Sequence, residues 1–419
     1  MNKKTNLILL IVISLFLAAL ISRNGSLALM TMPFLFYLGA GVLSFSGETR
    51  LRASRTLSRN RSEADVPITM NLTVENDGPA LARMQITEQA DPKMKVIEGV
   101  LELRVAVPAK KSVELSYTFQ APRGRYTWQT INVTASDPFG LFEKTLELPA
   151  AAQALILPEQ PVLNRPHFQP RHTLRTPGPN LSRLPGSGID FWGVREYHPG
   201  DPLRWIHWRQ TARHPQMFFS KEFEREEMAD IGLLLDGRAA TNLIQGTENL
   251  FEYSVQATAA LAKSFLRAGN RVSLLVLGER MARVFPGSGK QQLVRILDQL
   301  ASCKPAENIS FDTLKYLPVR LFSSHSLIIM ISPLRLHDFN TIARLRAEGY
   351  QVMVVSPNPV QFAAPEHPAS IYISLAIRAA RLERAVLLWR VRQIGAEVID
   401  WPVDQPLLKS VRSMHRVRM

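Results

Sequence analysis

With a single cysteine, Cys303, the chain can form no internal disulfide and offers no thiol cluster for zinc. A lone thiol of this kind reads as a small packed apolar group and fits a reducing compartment. Acidic residues are also in short supply: 36 Asp and Glu stand against 50 Lys and Arg, a net charge of +14 at pH 7. An excess of that sign calls for an anionic counterpart, whether nucleic acid, an acidic protein or the anionic face of a membrane. Apolar material is plentiful, 46% against 21% charged, which excludes an intrinsically disordered chain. The length of 419 residues suffices for two folded domains with anchors.

Charge is missing altogether from Thr5 to Ser22 and from Ser26 to Ser46, two runs rich in Leu, Ile, Phe and Ala that only Arg23, Asn24 and Gly25 separate. Each run is near the roughly 20 residues that cross a bilayer as a helix, so residues 1–47 read as a transmembrane helical hairpin. Lys3 and Lys4 resemble the start of a signal peptide, but the second run would anchor the protein even after cleavage. The same two lysines lie on one side of the hairpin and Arg50, Arg52, Arg55, Arg59 and Arg61 on the other. The positive-inside rule therefore places both ends in the cytoplasm, with Arg23 as the one opposing charge. Arginines this close to an apolar run read first as contacts with lipid headgroups. Lys409, Arg412, Arg416 and Arg418 form a basic tail.

From Val66 to Ala150 apolar and polar positions alternate in short runs such as Ile68 to Val74, punctuated by Asn76-Asp77-Gly78-Pro79, Asp91-Pro92 and Pro122-Arg123-Gly124. That spacing predicts an antiparallel β-sandwich. Ser112 to Phe119 and Tyr126 to Ala135 read as partners across the Pro122 to Gly124 turn, and Asp137-Pro138-Phe139-Gly140 ends the second of them. No catalytic constellation appears in this segment, which reads as a spacer or protein-binding module. Pro158 to Pro185 is proline-rich without periodicity and reads as an extended linker.

The densest chemistry runs from Gly186 to Glu226. Gly186 and Gly188 permit a tight backbone path, and Pro199-Gly200-Asp201-Pro202 is strong turn chemistry. Around that turn Asp190, Arg195, Glu196, Asp201, Arg204, His207, Arg209, Arg213, Lys221, Glu222 and Glu224 nearly balance in sign, which predicts an internal ion-pair network. Three readings stay open: a structural clamp, a partner-docking surface, or an acid–base site using Asp190, Glu196 or Asp201. Trp192, Trp205 and Trp208 interleave with arginines as nucleic-acid stacking platforms do, but the adjacent carboxylates repel phosphate and weigh against nucleic acid.

After Ile231 to Asp236, an apolar run ending in aspartate, helical and strand patterns alternate. Helices are expected over Thr247 to Ala268, Lys290 to Ser302, Asp338 to Gly349 and Ala376 to Gly395. Strands are expected over Arg271 to Gly278, Leu327 to Ser332, Gln351 to Ser356 and Glu397 to Trp401. Such alternation predicts a doubly wound α/β sheet with ligand sites at strand C-termini. Gly287-Ser288-Gly289-Lys290 hints at a phosphate loop, but Val284 and Gln291 stand where that motif needs Gly and Ser or Thr, so it reads as a turn before a helix. Arg378, Arg381, Arg384, Arg390 and Arg392 sit on the apolar body of the Ala376 helix, which reads as core-packing, with lipid contact as the alternative.

The block resembles the signature of a bacterial membrane-protein family known as domain of unknown function 58. Gly186, Gly188, Asp190, Phe191, Gly193, Arg195, Glu196 and Tyr197 carry the resemblance, with Pro199, Gly200, Asp201, Arg204, Trp208, Arg213, Glu222 and Glu224. Pro122 to Tyr126 and Asp137 to Phe142 match its PRGRY and DPFGLF elements. The resemblance implies a membrane hairpin, a β-rich segment and a C-terminal von Willebrand A-like domain. Members usually show a carboxylate where this chain has His207, which argues against an obligate proton carrier there. A von Willebrand A metal site needs Asp-x-Ser-x-Ser after the first strand, whereas this chain reads Asp236-Gly237-Arg238-Ala239-Ala240. Both hydroxyl ligands are absent, Arg238 puts a cation where magnesium would sit, and Ser332-Pro333 stands where an aspartate is common. The expectation is a degenerate site at Asp236, Arg238 and Ala240, with no metal, no cofactor and no catalytic residue. The family's link with MoxR-type AAA+ ATPases implies such a partner.

The sequence thus reads as a hairpin (1–47), a β-sandwich (48–157), a linker with the signature block (158–228) and a von Willebrand A-like α/β domain with a basic tail (229–419). The expected role is a non-catalytic scaffold in the bacterial inner membrane with cytoplasmic domains. A carboxylate enzyme and a basic membrane-surface or nucleic-acid binder are the rivals.

Overall fold

Uncharged apolar runs satisfy their backbone groups within themselves, and these fold as helices. The computed structural model describes residues 3–45, 49–161, 163, 180–214, 216–246, 248–306, 321–324, 326–365 and 370–416; at 3, 44–45, 180–190, 223–227 and 412–416 it describes the backbone alone. The chain divides into two compact units, Met1–Leu157 and Pro158–Met419.

The first unit opens with α1 (Lys3–Ser22), α2 (Gly25–Leu29) and α3 (Met32–Phe45). Asn24 caps α2 by accepting from the Ser26 N–H at 3.1 Å, and Thr31 donates to the Ala28 carbonyl at 2.7 Å where α2 gives way to α3. Lys4–Ser22 and Gly25–Leu43 are long and apolar enough to cross a membrane by length and composition. Their large side chains, Phe16, Ile21, Phe36 and Leu43 among them, point outward.

Nine strands follow: β1 (Leu51–Leu57), β2 (Arg61–Glu63), β3 (Ile68–Asn76), β4 (Leu81–Thr87), β5 (Lys95–Gly99), β6 (Glu102–Val107), β7 (Ser112–Gln120), β8 (Gly124–Ser136) and β9 (Glu143–Leu157). They form a four-stranded sheet, β1-β3-β7-β5, and a five-stranded sheet, β2-β9-β8-β4-β6. Period-two alternation in β3 turns Met70, Leu72 and Val74 inward. Leu72, Val74 and Leu115 of one sheet share a core with Met84, Ile86, Ile131 and Val133 of the other. Phe119 meets the edge of Trp128 at 5.9 Å in a second shared cluster. Asp137 closes the β8–β9 connection, its carboxylate accepting from the backbone N–H groups of Phe139, Leu141 and Phe142.

Two expectations fail in this unit. The strands on either side of Pro122 to Gly124 are not partners: β7 pairs with β3 and β5, and β8 with β4 and β9. The connection crosses between sheets, with Ala121 buried and the Tyr126 hydroxyl donating to the Pro122 carbonyl at 3.0 Å. Alternation marks strands but says nothing of which strand lies alongside. The second failure is Arg55, expected among lipid headgroups. It lies inside the unit, its side chain and that of Glu88 only 0% and 1% exposed, with nitrogen and oxygen 2.7 Å apart. Its guanidinium also donates to the Ala150 carbonyl at 2.5 Å. β1 carries it inward because Arg55 shares the phase of Leu51 and Ala53, the strand's inward positions.

Burial holds the Glu88 carboxyl above its usual 4.5 even against the attraction of Arg55, and Tyr117 beside it is pushed up by burial and by the Glu88 charge. Arg55→Ala leaves that carboxylate buried without a cation and is expected to cost about 3–5 kcal/mol at neutral pH. The missing cation raises the folded-state pKa of Glu88 further. The penalty therefore applies above that pKa and vanishes as pH falls below 4.5, the unfolded value. Thermal unfolding in detergent from pH 7 to pH 4.5 checks it: the gap between wild type and variant should narrow.

In the second unit β10 (Asn180–Glu196) precedes α4 (Trp208–Thr211) and β11 (Phe219–Glu227). Then come β12 (Asp230–Asp236), β13 (Ile244–Gln245), β14 (Glu248–Asn249), α5 (Leu250–Arg267), β15 (Arg271–Leu277), β16 (Met281–Gly287) and α6 (Gly289–Ser302). The chain continues with β17 (Leu327–Ile331), α7 (Asp338–Ala347), β18 (Gln351–Pro357), α8 (Pro359–Ala363), α9 (Ile371–Gln393), β19 (Glu397–Trp401) and α10 (Leu407–Arg416). One six-stranded sheet has the order β16-β15-β12-β17-β18-β19, parallel except for the antiparallel edge strand β16. All seven residues of β12 are buried, as a strand covered on both faces requires. On one face Ile342 and Leu345 of α7 and Leu387, Leu388 and Val391 of α9 pack with Leu234, Ile328 and Val354. α5 contacts β12, β15, β17 and β18 and contributes nothing to that cluster, so it covers the other face. A Cβ at Gly232 would come within 2.4 Å of the Phe322 ring, which explains a glycine inside the central strand.

The edge strand β16 was not foreseen, and α10 forms where only a basic tail was expected. Asn180 to Pro185, read as linker, belongs to β10; residues 164–179 and Arg418 lie outside the described residues.

Candidate functional site

The strand order reverses direction at β12, with β15 on one side and β17 on the other. In an open parallel sheet the crevice at such a point, beyond the strand C-termini, is where ligands bind. Asp236 ends β12 there, Ser332 follows β17, and Asp338 begins α7. The two carboxylates turn inward on one guanidinium, and Ser332 supports the first of them. Arg238, 3% exposed, donates from Nε and Nη2 to the Asp236 oxygens at 2.8 and 2.7 Å, and from Nη1 and Nη2 to the Asp338 oxygens at 2.9 and 2.8 Å. The Ser332 hydroxyl donates to Asp236 Oδ2 at 2.6 Å, Thr241 donates to the same oxygen at 3.3 Å, and the Arg335 N–H reaches Asp338 Oδ2 at 2.7 Å.

Two carboxylates and one arginine leave a formal excess of one negative charge in a buried place. The backbone N–H groups and the N-terminus of α7, where Asp338 sits in the first turn, offset it. The two carboxylates in turn raise the Arg238 pKa against the opposing effect of burial. A divalent cation wants these hard oxygens, but the guanidinium already holds both carboxylates, and Ala240 is exposed in a short turn with no oxygen to offer from its side chain. The donor set therefore does not fit a metal while Arg238 is present.

A second arginine secures the same edge. Arg384 of α9 donates to Asp400 Oδ1 at 2.7 Å, to Ser356 Oγ at 3.0 Å and to the Pro333 carbonyl at 3.0 Å. It ties the ends of β18 and β19 to the segment after β17. Nothing in its sequence surroundings distinguishes Arg384 from the other arginines of α9, so it could not be singled out in advance.

The signature block forms a two-stranded antiparallel ribbon, β10 on β11. Its register breaks between Gly186 and Phe191, and Gly188 and Asp190 fall in that break. The side chains of Asp190 and Glu224 lie outside what the structure describes. Beyond the break Arg195 lies opposite Ser220, so Glu222 is its diagonal neighbour across the ribbon. Arg195 Nε meets Glu222 at 3.1 Å, and Nη2 meets Asp201 Oδ1 at 2.6 Å. Asp201 Oδ2 also accepts from the His198 N–H at 3.0 Å, closing the Pro199–Gly200 turn, where φ of +112° at position 200 calls for glycine. Arg195 Nη1 and the Glu196 carbonyl lie 2.9 and 3.0 Å from His198 Nδ1, which holds the ring against the turn.

Glu196 joins this network through its carbonyl, which accepts from Arg195 Nη1 at 2.8 Å, while its side chain is exposed. Arg204 lies over the Trp205 ring at 6.0 Å, Arg213 is exposed, and Tyr197 meets Phe218 edge-on at 6.4 Å. His207 Nδ1 accepts from the Gln210 N–H at 3.0 Å and so caps α4. A carboxylate would accept there equally well. Nothing within 4 Å of a Cβ at Gly193 explains that glycine. Apolar side chains of the block remain in solvent: Phe191, Trp192, Leu203, Trp208, Met217 and Phe218 are all exposed.

Arg195 and the His198 N–H hold the Asp201 carboxyl below its usual 3.8, mainly through the arginine hydrogen bond. That contribution is present above 3.8 and is lost as pH falls through the folded-state value. Carboxyl NMR titration should return Asp201 towards 3.8 in Arg195→Ala. Arg238→Ala should cost about 3–5 kcal/mol, because it strands two buried carboxylates. Millimolar Mg²⁺ should recover part of the lost melting temperature in this variant and leave wild type unmoved.

Residues 193–362 match the family model described as Protein of unknown function DUF58. The uncharacterised protein YeaD of Bacillus subtilis is 26% identical over 290 residues, covering 67% of this chain and 69% of YeaD. The uncharacterised protein Rv1480 of Mycobacterium tuberculosis is 32% identical over 137 residues, 31% of this chain and 41% of Rv1480, so the match spans less than half of that relative. Among solved structures, a CARDB domain from Pyrococcus furiosus aligns with 26% of this chain and 93% of its own at 12% identity and a TM-score of 0.19, too low to carry an argument. The match begins inside β10, takes in the Arg195 network and the Arg238 cluster and ends in α8, so over residues 193–362 the chain is similar to the DUF58 family.

Proposed function

We propose that this protein is a membrane-anchored, non-catalytic adaptor. Its N-terminal helices hold it in the bacterial inner membrane with both soluble parts in the cytoplasm. In this reading the two sheets of the first unit are a β-sandwich and the parallel sheet a von Willebrand A-like domain. That domain works without metal, because an internal arginine holds its carboxylates. The signature block, including Arg195, Asp201, Trp208 and Glu222, is the docking surface for a protein partner, a MoxR-type AAA+ ATPase that assembles or matures other proteins.

One observation carries the reading: charged groups of the block are spent on one another while its aromatic side chains are left in solvent. Arg195 holds Asp201 and Glu222, whereas Trp208 and Phe218 are 66% and 57% exposed. Exposed aromatic groups rimmed by polar ones mark protein interaction sites. An acid–base carboxylate working near neutral pH needs a raised pKa, and Asp201 is shifted the opposite way.

The test is a pull-down of the full chain in detergent with and without ATP. Wild type should recover an AAA+ ATPase, and Trp208→Ala with Phe218→Ala should lose most of it, since truncating interface anchors of this kind costs about 2 kcal/mol or more each. Recovery undiminished in the double variant, with circular dichroism unchanged, would move the docking surface away from the block.

A further inference from the structure

Helix α9 has two apolar faces, and only one of them has a use inside the fold. Arg384, Leu387, Leu388 and Val391 are its buried residues and pack onto the sheet or tie its edge. At about 100° per residue, a second set lies on the opposite side: Tyr372, Leu375, Ala379, Leu382, Val386 and Trp389, spaced three and four apart over five turns. These side chains are in solvent, Tyr372 at 80%, Leu382 at 69% and Trp389 at 58% exposure. An apolar stripe of this length is not needed for a helix that covers a sheet with one face only.

The charges beside the stripe select its occupant. Arg378, Arg381 and Arg392 border it on one side and Arg390 on the other, all exposed, while Glu383 is the one acidic residue of the helix. Two copies of α9 laid stripe to stripe would set one arginine flank on the other when antiparallel, and Arg392 beside Arg390 with Glu383 as the one offsetting acid when parallel, so a second copy is electrostatically disfavoured. A surface of negative charge above an apolar interior suits them: arginine stems lie along the stripe and the guanidinium groups reach outward to headgroups. The same chain carries two N-terminal helices long and apolar enough to cross a membrane, so a bilayer surface is the anionic partner closest to hand.

We propose that α9 is an interfacial helix: its outer stripe lies in the headgroup region of an anionic bilayer, with Tyr372 and Trp389 near its two ends. This holds whether or not the adaptor reading does. Docking would bring the C-terminal edge of the parallel sheet, which Arg384 secures from the same helix, to a defined distance from the membrane.

The experiment uses the full chain in vesicles, with a single nitroxide attached at Leu382→Cys or, in a separate variant, at Trp389→Cys, each in a Cys303→Ser background. Power-saturation spectroscopy is read in phosphatidylcholine and in phosphatidylcholine with phosphatidylglycerol, with exposed Glu248→Cys as the water-facing control. Both stripe labels are expected to gain oxygen access and lose nickel-chelate access in the anionic vesicles only, and to regain nickel access when Arg378 and Arg381 are changed to Glu. Nickel access at both stripe positions equal to the control in anionic vesicles would overturn the proposal. So would protection indifferent to lipid charge and to the arginines, or spin–spin broadening that shows the stripe closed on a second copy.

Discussion

Everything at the C-terminal edge of the parallel sheet depends on one buried guanidinium. Asp236 and Asp338 come from β12 and α7, and neither carboxylate could be buried at that depth without a cation between them. Arg238 supplies it from two residues away, with a fork that matches both carboxylates. Because the arginine is covalently part of the chain, the charge balance of the crevice cannot be changed by ion concentration. A crevice that elsewhere in open α/β sheets would receive a ligand is here closed by the chain's own side chain, and Arg384 stitches the neighbouring strand ends in the same way.

Arginine does different work in each place, and burial decides which. Arg55 and Arg238 lie inside, where losing the partner costs several kcal/mol because the remaining charge has no water. Arg195 is 36% exposed and its pairs are worth far less in stability; they set the shape of the His198–Asp201 turn and leave the aromatic side chains of the ribbon outside. The arginines beside the outer stripe of α9 face water and have only Glu383 for company on their helix. A net charge of +14 therefore conceals three populations: buried locks, a half-buried hinge of a turn, and a free basic surface.

The ribbon and the sheet also divide the polar chemistry. In the signature block, paired charge and exposed apolar side chains occupy one short antiparallel ribbon, an arrangement suited to recognition. In the central strands of the sheet the Arg238 pairs and the apolar groups are internal, an arrangement suited to rigidity. The ribbon and the outer face of α9 are two separate places where apolar side chains of this unit lie in solvent.

Much of this was legible in the residues. Apolar runs bounded by polar ones marked β12, β17 and β18 almost to the residue, because a strand buried on both faces tolerates nothing else. The turn chemistry of Asn76, Asp137 and Pro199-Gly200 is local, so it too could be read directly. Asp236-Gly237-Arg238 announced a cation beside a carboxylate. That Asp338 completes the pair, a hundred positions on, could not be read, because only the fold brings the start of α7 to the end of β12. The same holds for Arg55, whose place beside an apolar run predicted lipid while the phase of β1 turned it inward to Glu88. It holds for β7 and β8, adjacent in sequence but in different sheets. Periodicity and turn residues determined the elements, since their causes act over a few residues. Pairing of strands, of distant charges and of helix faces was decided by the tertiary structure, since those energies exist only once the backbone has brought the groups together.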